Sequence, residues 1–147
     1  MNAPSGYVLS IIVPYRNAAR YLPDAILPFR SALKDGLIEL ILVNSGSEDS
    51  STDLLKRYVA EGLPLKLTAT EAQGPGPARN KGMSEASGKY LAFLDADDQV
   101  LPERLVGLCT RMAENDADMT IFNHQRLYPS GELKINQRSD LLATLPA

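Results

Sequence analysis

The stretch YLAFLDADD, residues 90–98, joins an apolar run to a cluster of carboxylates. Its first part, Tyr90 to Leu94, has the length and composition of a buried strand, and Asp95, Asp97 and Asp98 follow at once. In an open α/β sheet, ligands bind beyond the carboxyl ends of the strands. The stretch therefore predicts a strand that delivers acidic side chains to a binding site.

Carboxylates packed this closely repel one another unless a cation lies between them. Mg²⁺ and Mn²⁺ prefer oxygen ligands and commonly take one or two carboxylates, which leaves positions for phosphates and water. Side chains at i and i+2 of an extended segment share a side, so we expect Asp95 and Asp97 to converge on a divalent metal. The alternative is that these residues only solvate a turn or cap the helix near Pro102.

On either side of this stretch, strand-like apolar runs alternate with helical stripes, which is typical of βαβ units. We predict an α/β fold, with an open, mainly parallel, Rossmann-like sheet and helices on both faces. The five predicted strands cover residues 7–13, 37–43, 63–68, 90–94 and 118–123. The four predicted helices cover residues 19–33, a segment from Ser50 to Gly62, and residues 78–86 and 103–114.

Single residues refine this pattern. Pro28 should kink the first helix or split it in two. Ser50 and Asp53 resemble a capping box at the start of the second helix. Tyr21 and Tyr58 belong to helical stripes, and we expect both of them in the core.

Composition and charge narrow the class of protein. Apolar residues make up 44% and charged residues 22% of the 147-residue chain, as in a soluble globular domain. The net charge is −3, and no Lys and Arg cluster suits a nucleic-acid-binding face, so we expect no nucleic acid partner. The single cysteine, Cys109, is expected in the core and fits a reducing compartment.

The segment from Gly74 to Gly82 is rich in glycine and proline, which places backbone close to a ligand. With Pro77 at the first helical position, Arg79 and Lys81 fall in the first turn of the following helix. A cation is tolerated at this positive end of a helix if an anion docks there, and a diphosphate would bind Arg79 and free backbone N–H groups. A solvated, basic helix start is the alternative.

Four motifs occur in order along the chain. They are SIIVP at 10–14 followed by Asn17, the segment from Val43 to Asp49 with Gly46-Ser47, ARNKG at 78–82, and FLDADD at 93–98. Together they resemble the nucleotide-binding half of the inverting family 2 glycosyltransferases, which have the GT-A fold. The resemblance covers about residues 8–128.

The resemblance implies a nucleoside-diphosphate sugar as donor and Mg²⁺ or Mn²⁺ as cofactor. It implies that Asp95 faces the ribose and the metal in a DXD motif, that Asp97 ligates the metal, and that Asp98 supports the loop. Arg79 is implied to face the donor sugar or diphosphate. The other residues implied to bind the donor are Pro14, Tyr15, Arg16, Asn17, Asn44 and Gly46.

This chain departs from the family pattern at two places. The Tyr15-Arg16 pair leaves open which side chain stacks on the base. Asn44-Ser45 stands where the family has one or two aspartates, which leaves the donor preference open.

The general base of the family lies well beyond the metal motif. The acidic residues after the last predicted strand are Glu132 and Asp140, and neither lies in a recognisable base motif. His124, at the end of that strand, either approaches the site or is a hydrogen-bonded structural residue.

We therefore predict a nucleotide-sugar-binding α/β domain over residues 7–128, with a hairpin or partly mobile extension over 129–147 that starts a missing acceptor region. The function expected is that of the donor-binding domain of an inverting glycosyltransferase, truncated before its base. The alternative is a non-catalytic nucleotide-binding or interaction module on the same fold. A nucleotidyltransferase is disfavoured because residues 14–17 lack a glycine cluster.

The partners expected are the donor and an unidentified acceptor, such as a polysaccharide or a lipid-linked sugar. No apolar run reaches the roughly 20 residues that span a bilayer. We expect a cytoplasmic location, and for a longer protein we leave open a position at the inner face of the membrane.

Overall fold

The computed structural model of the protein describes residues 8–71, 74–121, 124–128 and 130–136. The chain divides into two compact units, Met1–Arg111 and Met112–Ala147. In the first unit the strands are β1 (Leu9–Tyr15), β2 (Ile38–Asn44), β3 (Leu65–Ala69) and β4 (Tyr90–Phe93). The helices are α1 (Leu22–Ile26), α2 (Arg30–Lys34), α3 (Ser51–Ala60), α4 (Pro75–Glu85) and α5 (Pro102–Glu114), the last of which runs on into the second unit.

The four strands form one parallel sheet in the order β3-β2-β1-β4. Every residue of β1 is buried, as are all residues of β2 except the last. Central parallel strands are covered on both faces and therefore read as continuous apolar runs. The predicted open, parallel sheet is confirmed.

The two faces of this sheet pack against different helices. Successive residues of a strand point to opposite faces, so Ile11 and Ile12 belong to separate apolar clusters. Ile12 packs in the cluster that contains Ala78 of α4. The larger cluster around Ile11 draws on the other helices through Leu22, Leu33, Leu55 and Leu105. Helices therefore cover both faces, as predicted.

Gly82 allows α4 to approach β1 closely. A Cβ atom at this position would overlap the Cγ2 atom of the fully buried Ile12. Because α4 also carries Arg79, this close approach fixes where the arginine side chain leaves the helix.

Pro28 divides the first predicted helix, as expected. The chain leaves α1 at Ile26, passes through a 3-10 turn, Leu27–Phe29, and enters α2 at Arg30. Proline lacks the N–H that a continuous helix would use and clashes with the preceding turn.

The second unit contains an antiparallel hairpin, in which β5 (His124–Leu127) pairs with β6 (Leu133–Asn136). The Gly131 N–H donates to the carbonyl oxygen of Tyr128 at 2.8 Å across the turn. The strand predicted over residues 118–123 is wrong in its described part, because residues 118–121 lie in no strand. Residues 137–147 of the predicted extension lie outside the described residues.

Glu39 is a buried carboxylate in β2 that joins three segments of the first unit. Its Oε1 atom accepts from the Ser10 hydroxyl at 2.5 Å, from the N–H and hydroxyl of Ser87 at 2.5 and 2.9 Å, and from the Gly88 N–H at 3.2 Å. Burial by itself raises the pKa of Glu39, but these hydrogen bonds outweigh it and hold the pKa below its usual value. The carboxylate thus ties β1, β2 and the segment between α4 and β4 together.

Cys109 is buried in α5, as predicted, and burial raises the pKa of its thiol. In the described part of the chain, no helix has the length and apolar character needed to cross a membrane.

Candidate functional site

A cleft of about 510 Å³ opens at the carboxyl ends of β1 and β4. Such clefts fall in the range of about 300–1,000 Å³ that is typical of small-molecule sites. The described residues that line it are Pro14, Tyr15, Arg16, Asn17, Ala18, Tyr21, Ser45, Gly74, Pro75, Arg79, Asp95, Ala96 and Asp97. The structure thus brings together Asp95, Asp97, Arg79 and the loop after β1, which the sequence had singled out separately.

Asn17 connects the loop after β1 to the loop after β2. It has a left-handed backbone, with a φ of 49°, which asparagine tolerates better than most residues. Its side-chain oxygen accepts from the N–H groups of Glu48 and Asp49 at 2.8 and 3.3 Å, and its own N–H donates to the Ser47 hydroxyl at 3.2 Å. The side chain predicted to contact a ligand therefore holds two loops in register.

Asp49 adds a second link between the same loops and caps α3. Its carboxylate accepts from the Ala19 N–H at 3.1 Å and from the Ser51 N–H and hydroxyl at 3.0 and 2.5 Å. The bond from the Ser51 hydroxyl is the main cause of a lowered pKa for Asp49. Ser50 makes no side-chain capping bond, so the predicted capping box is wrong.

Replacing Asn17 should lower stability in two separable steps. Asn17→Gly keeps the left-handed backbone accessible but loses the side-chain bonds, so we expect the free energy of unfolding to fall by about 1 kcal/mol. Asn17→Ala also incurs backbone strain and should cost about 1 kcal/mol more. Urea unfolding measures the stability of both variants. Equal stability of the two would show that strain in the left-handed backbone does not contribute.

Asn44 and Gly46 were both predicted to bind the donor, yet neither is among the described residues that line the cleft. The Asn44 side chain accepts from the Ser47 N–H at 2.8 Å and donates to the Thr52 hydroxyl at 3.2 Å. Gly46 takes a φ of 80°, which a turn requires there and which glycine adopts without strain. Both residues shape the loop after β2.

Ser45 is the residue of this loop that lines the cleft, and the sequence analysis gave it no role. Its side chain is buried, and its hydroxyl oxygen accepts from the Gly74 N–H at 3.0 Å. Its own N–H donates to the Tyr15 carbonyl oxygen. A polar residue directly after the end of β2 was the available signal.

Tyr15 and Tyr21 both line the cleft but differ in their exposure. The Tyr15 ring is only 3% exposed, and its hydroxyl lies 3.2 Å from that of Thr52. Burial, reinforced by the nearby charge of Asp49, raises the pKa of Tyr15. Tyr21 is 41% exposed and lines the cleft, so its predicted place in the core is wrong, whereas that of Tyr58 is confirmed.

The acidic segment forms a turn and not the extended strand end that was expected. β4 stops at Phe93, and the Asp98 N–H donates to the Asp95 carbonyl oxygen at 2.9 Å. Asp95 and Asp97 therefore do not share one side of an extended segment, which was the reason given for their convergence. Asp95 and Asp97 still both line the cleft, and both are exposed.

Arg79 pairs with Asp95 across the cleft. One guanidinium nitrogen lies 2.5 Å from Asp95 Oδ1, and the two side chains are 32% and 53% exposed. The guanidinium carbon also lies 6.0 Å from the centre of the Phe93 ring. An ion pair this open to water contributes at most about 1 kcal/mol, so an incoming phosphate can compete for the arginine.

The start of α4 offers few backbone donors. The helix begins at Pro75, two residues earlier than predicted, so Arg79 lies in its second turn. Pro75 and Pro77 have no N–H, and the N–H groups of Gly74 and Ala78 already donate to Ser45 Oγ and to the Gly74 carbonyl. Arg79 lines the cleft and therefore provides positive charge from α4 there.

Lys81, predicted to share this role, does not line the cleft in the described structure. Its ammonium group lies 2.6 Å from Glu85 Oε1, one turn further along α4.

The cleft fits a metal that needs few protein ligands. Among the residues that the structure describes, no group of three or more His, Cys, Asp or Glu side chains could hold an ion. Mg²⁺ and Mn²⁺ commonly use only one or two carboxylates and complete their shell with phosphates and water. The exposed pair Asp95 and Asp97 matches that chemistry, and a closed all-protein metal site does not.

Three residues of the second unit were considered for catalysis, and the structure describes Glu132 and the backbone of His124. Glu132 is exposed in the hairpin turn, with the Lys134 ammonium group 3.6 Å from its carboxylate. His124 begins β5, whereas it was expected to end the last strand. Asp140 lies outside the described residues.

Comparisons with known proteins point to one family. Residues 10–141 match the profile of the family described as Glycosyl transferase family 2. An uncharacterized glycosyltransferase of Haemophilus influenzae is 38% identical over 127 residues, which cover 84% of this chain and 48% of that protein. The putative glycosyltransferase EpsH of Bacillus subtilis is 34% identical over 116 residues, covering 79% of this chain and 33% of EpsH. The chain spans between a third and a half of the length of these relatives.

Solved structures give the same picture for the fold. The crystal structure of S. aureus TarS 1-349 in complex with UDP matches with a TM-score of 0.65 at 26% identity, over 74% of this chain and 32% of that chain. A complex of the same protein with UDP-GlcNAc matches with a TM-score of 0.64. The fold of this chain is thus the Rossmann-like GT-A fold of these glycosyltransferases.

Proposed function

Because the chain belongs to glycosyl transferase family 2, we propose that its cleft binds a nucleoside-diphosphate sugar together with Mg²⁺ or Mn²⁺. The observation that carries the proposal is the meeting of Arg79, Asp95 and Asp97 in one cleft with the loop after β1. A cation-binding carboxylate pair beside an arginine suits a diphosphate, which has two charged groups to neutralise.

Each of these residues has a distinct part in the proposal. Asp97 is the metal ligand. Asp95 faces both the metal and the ribose once Arg79 no longer pairs with it. Arg79 leaves Asp95 and forms a bidentate contact with the diphosphate. The metal, when bound, neutralises charge on the leaving nucleoside diphosphate. Arg79 adds to this neutralisation from α4, so the leaving group is stabilised from two sides of the cleft.

The proposal assigns donor binding to this chain and transfer to the whole protein. An inverting transfer needs a carboxylate that takes the proton of the acceptor hydroxyl. The carboxylates that line the cleft in the described structure are Asp95 and Asp97, and both already serve the metal. The base and the acceptor contacts then come from residues beyond those described, and the acceptor is a polysaccharide, a lipid-linked sugar or a similar hydroxyl compound.

Related proteins support the choice of ligand. TarS has been crystallised with UDP and with UDP-GlcNAc, and it is 25–26% identical to this chain over the matched part. Uridine diphosphate is therefore the first nucleotide to test. We retain the cytoplasmic location, where such donors are made, as part of the proposal.

Isothermal titration of the chain with UDP and with GDP, each in Mn²⁺ and in EDTA, tests the proposal. We expect one of the two to bind in Mn²⁺ and to bind at least about 100-fold more weakly in EDTA, because the metal would neutralise phosphate charge beside the carboxylates. Absence of metal-dependent binding to either nucleotide would favour the alternative of a non-catalytic interaction module.

A further inference from the structure

Tyr21 is an exposed aromatic ring at the cleft that no part of the proposed mechanism uses. The chain has six tyrosines, and Tyr15, the one nearest in sequence, is held inside the core with its hydroxyl on Thr52. Tyr21 in contrast is 41% exposed. Among the described residues that line the cleft, it is the one that presents an aromatic ring to solvent.

The backbone at Tyr21 is firmly anchored although the ring is exposed. Its N–H donates to the Ala18 carbonyl oxygen at 2.9 Å, and its own carbonyl oxygen accepts from the Ala25 N–H at 3.1 Å. The neighbouring Leu22 is fully buried. A ring carried on such an anchored backbone loses little conformational freedom when it binds a ligand, because few torsions remain to be fixed.

Arg20 lies against the Tyr21 ring and places a positive charge beside it. Its guanidinium carbon lies 4.7 Å from the centre of the Tyr21 ring, a cation–π distance. A cation beside the ring favours a partner that carries carbonyl oxygens, as nucleobases do.

The aromatic and charged parts of the cleft come from opposite faces of the sheet. Tyr21 precedes α1, which packs in the larger apolar cluster, whereas Arg79 lies on α4, which packs in the smaller one. A nucleoside diphosphate is likewise divided into a flat heterocycle and a charged diphosphate. A ligand with Arg79 and Asp97 at its phosphates therefore extends toward the face that carries Tyr21.

We propose that the Tyr21 ring stacks on the nucleobase of the donor, an inference that rests on the proposed function. The sequence left open whether Tyr15 or Arg16 stacks on the base; Tyr15 is too deeply buried for this contact, and Arg16 carries no aromatic ring. Stacking on an aromatic ring tolerates every base, so Tyr21 contributes affinity for the nucleoside and leaves the choice of base to polar contacts.

Alanine and phenylalanine variants separate the ring from the hydroxyl. We expect Tyr21→Ala to bind UDP in Mn²⁺ about tenfold more weakly. Tyr21→Phe should bind as tightly as the wild type. Inorganic pyrophosphate in Mn²⁺ lacks a base, so its affinity should be the same for all three proteins. Unchanged UDP affinity in Tyr21→Ala, or equal losses for UDP and pyrophosphate, would overturn the inference.

A tryptophan variant reports the contact directly, since the chain has no tryptophan. The fluorescence of Tyr21→Trp should be quenched by UDP and not by pyrophosphate. Val59→Trp is the matched control, because Val59 is equally exposed at 41% but does not line the cleft, and UDP should leave its fluorescence unchanged. Quenching absent at position 21, or equal at both, argues against stacking.

The outcomes distinguish this inference from the proposed function. If wild-type protein binds UDP in Mn²⁺ and Tyr21→Ala binds equally well, the stacking inference alone fails. If wild-type protein binds neither UDP nor GDP in Mn²⁺, both fail.

Discussion

Replacing Asp97 with alanine is expected to weaken the binding of UDP in Mn²⁺ by at least about 100-fold. Loss of even an outer-shell partner of a metal ligand costs about 10–100-fold in affinity, and Asp97 is proposed as a direct ligand. Asp97 is exposed in a turn, so its removal should leave the fold intact. Isothermal titration of the variant and the wild type measures the loss.

Two controls make the Asp97→Ala result specific to the metal. In EDTA the variant and the wild type should bind UDP equally, because the metal-mediated contact is absent from both. Asp53→Ala removes an exposed carboxylate from α3 and should bind as the wild type does in Mn²⁺. If Asp97→Ala changes nothing in Mn²⁺, the residue is no ligand and the interaction-module alternative gains support.

Replacing Glu39 with alanine should lower the free energy of unfolding by about 3 kcal/mol, because it removes several hydrogen bonds to a charged acceptor and leaves the buried Ser10 hydroxyl without its acceptor. The donors affected are the Ser10 hydroxyl and the N–H groups of Ser87 and Gly88. Glu61→Ala is a matched control at an exposed position and should change stability by less than about 0.5 kcal/mol. Urea unfolding at pH 7 measures both, and similar losses in the two variants would remove Glu39 from this role.

The Glu39 contribution should also depend on pH with a definite sign. Its pKa in the folded state is lowered from 4.5, so the folded state favours the ionised form. The stabilisation is then complete above the unfolded-state pKa near 4.5 and is lost as pH falls through the folded-state pKa. The stability difference between wild type and Glu39→Gln should be constant from pH 7 to about 5 and should shrink below that. A difference that grows on acidification would contradict the assignment.

The fold was predictable because the central strands are buried on both faces. The runs around Ile11 and Ile41 are apolar at nearly every position, and no amphipathic element produces that pattern. Pro28 likewise predicted the break between α1 and α2 from its missing N–H alone. The buried strands and the helix break are both determined by residues within those segments.

The details of the cleft depend on contacts that sequence spacing does not encode. The turn from Asp95 to Asp98 is closed by a backbone hydrogen bond. The Asp-x-Asp spacing alone does not show whether this segment forms a turn or stays extended. Tyr21 fits a helical stripe but lies just outside the helix, which begins at Leu22. The partners of Asn17 lie about 30 residues away, in the loop after β2.

The structural role of Glu39 was not predicted from the sequence. A single carboxylate inside the apolar run IELILV was visible in the sequence but was given no role there. Its partner Ser87 lies 48 residues further along the chain, so the network itself required the structure.

Anomalous scattering from crystals of the chain grown with Mn²⁺ and UDP locates the metal and the nucleotide relative to Asp97 and Arg79. We expect a manganese peak at coordination distance from an Asp97 carboxylate oxygen, with the diphosphate also bound to the metal and in contact with Arg79. Manganese bound away from Asp97, or UDP bound outside the cleft at the carboxyl ends of β1 and β4, would contradict it.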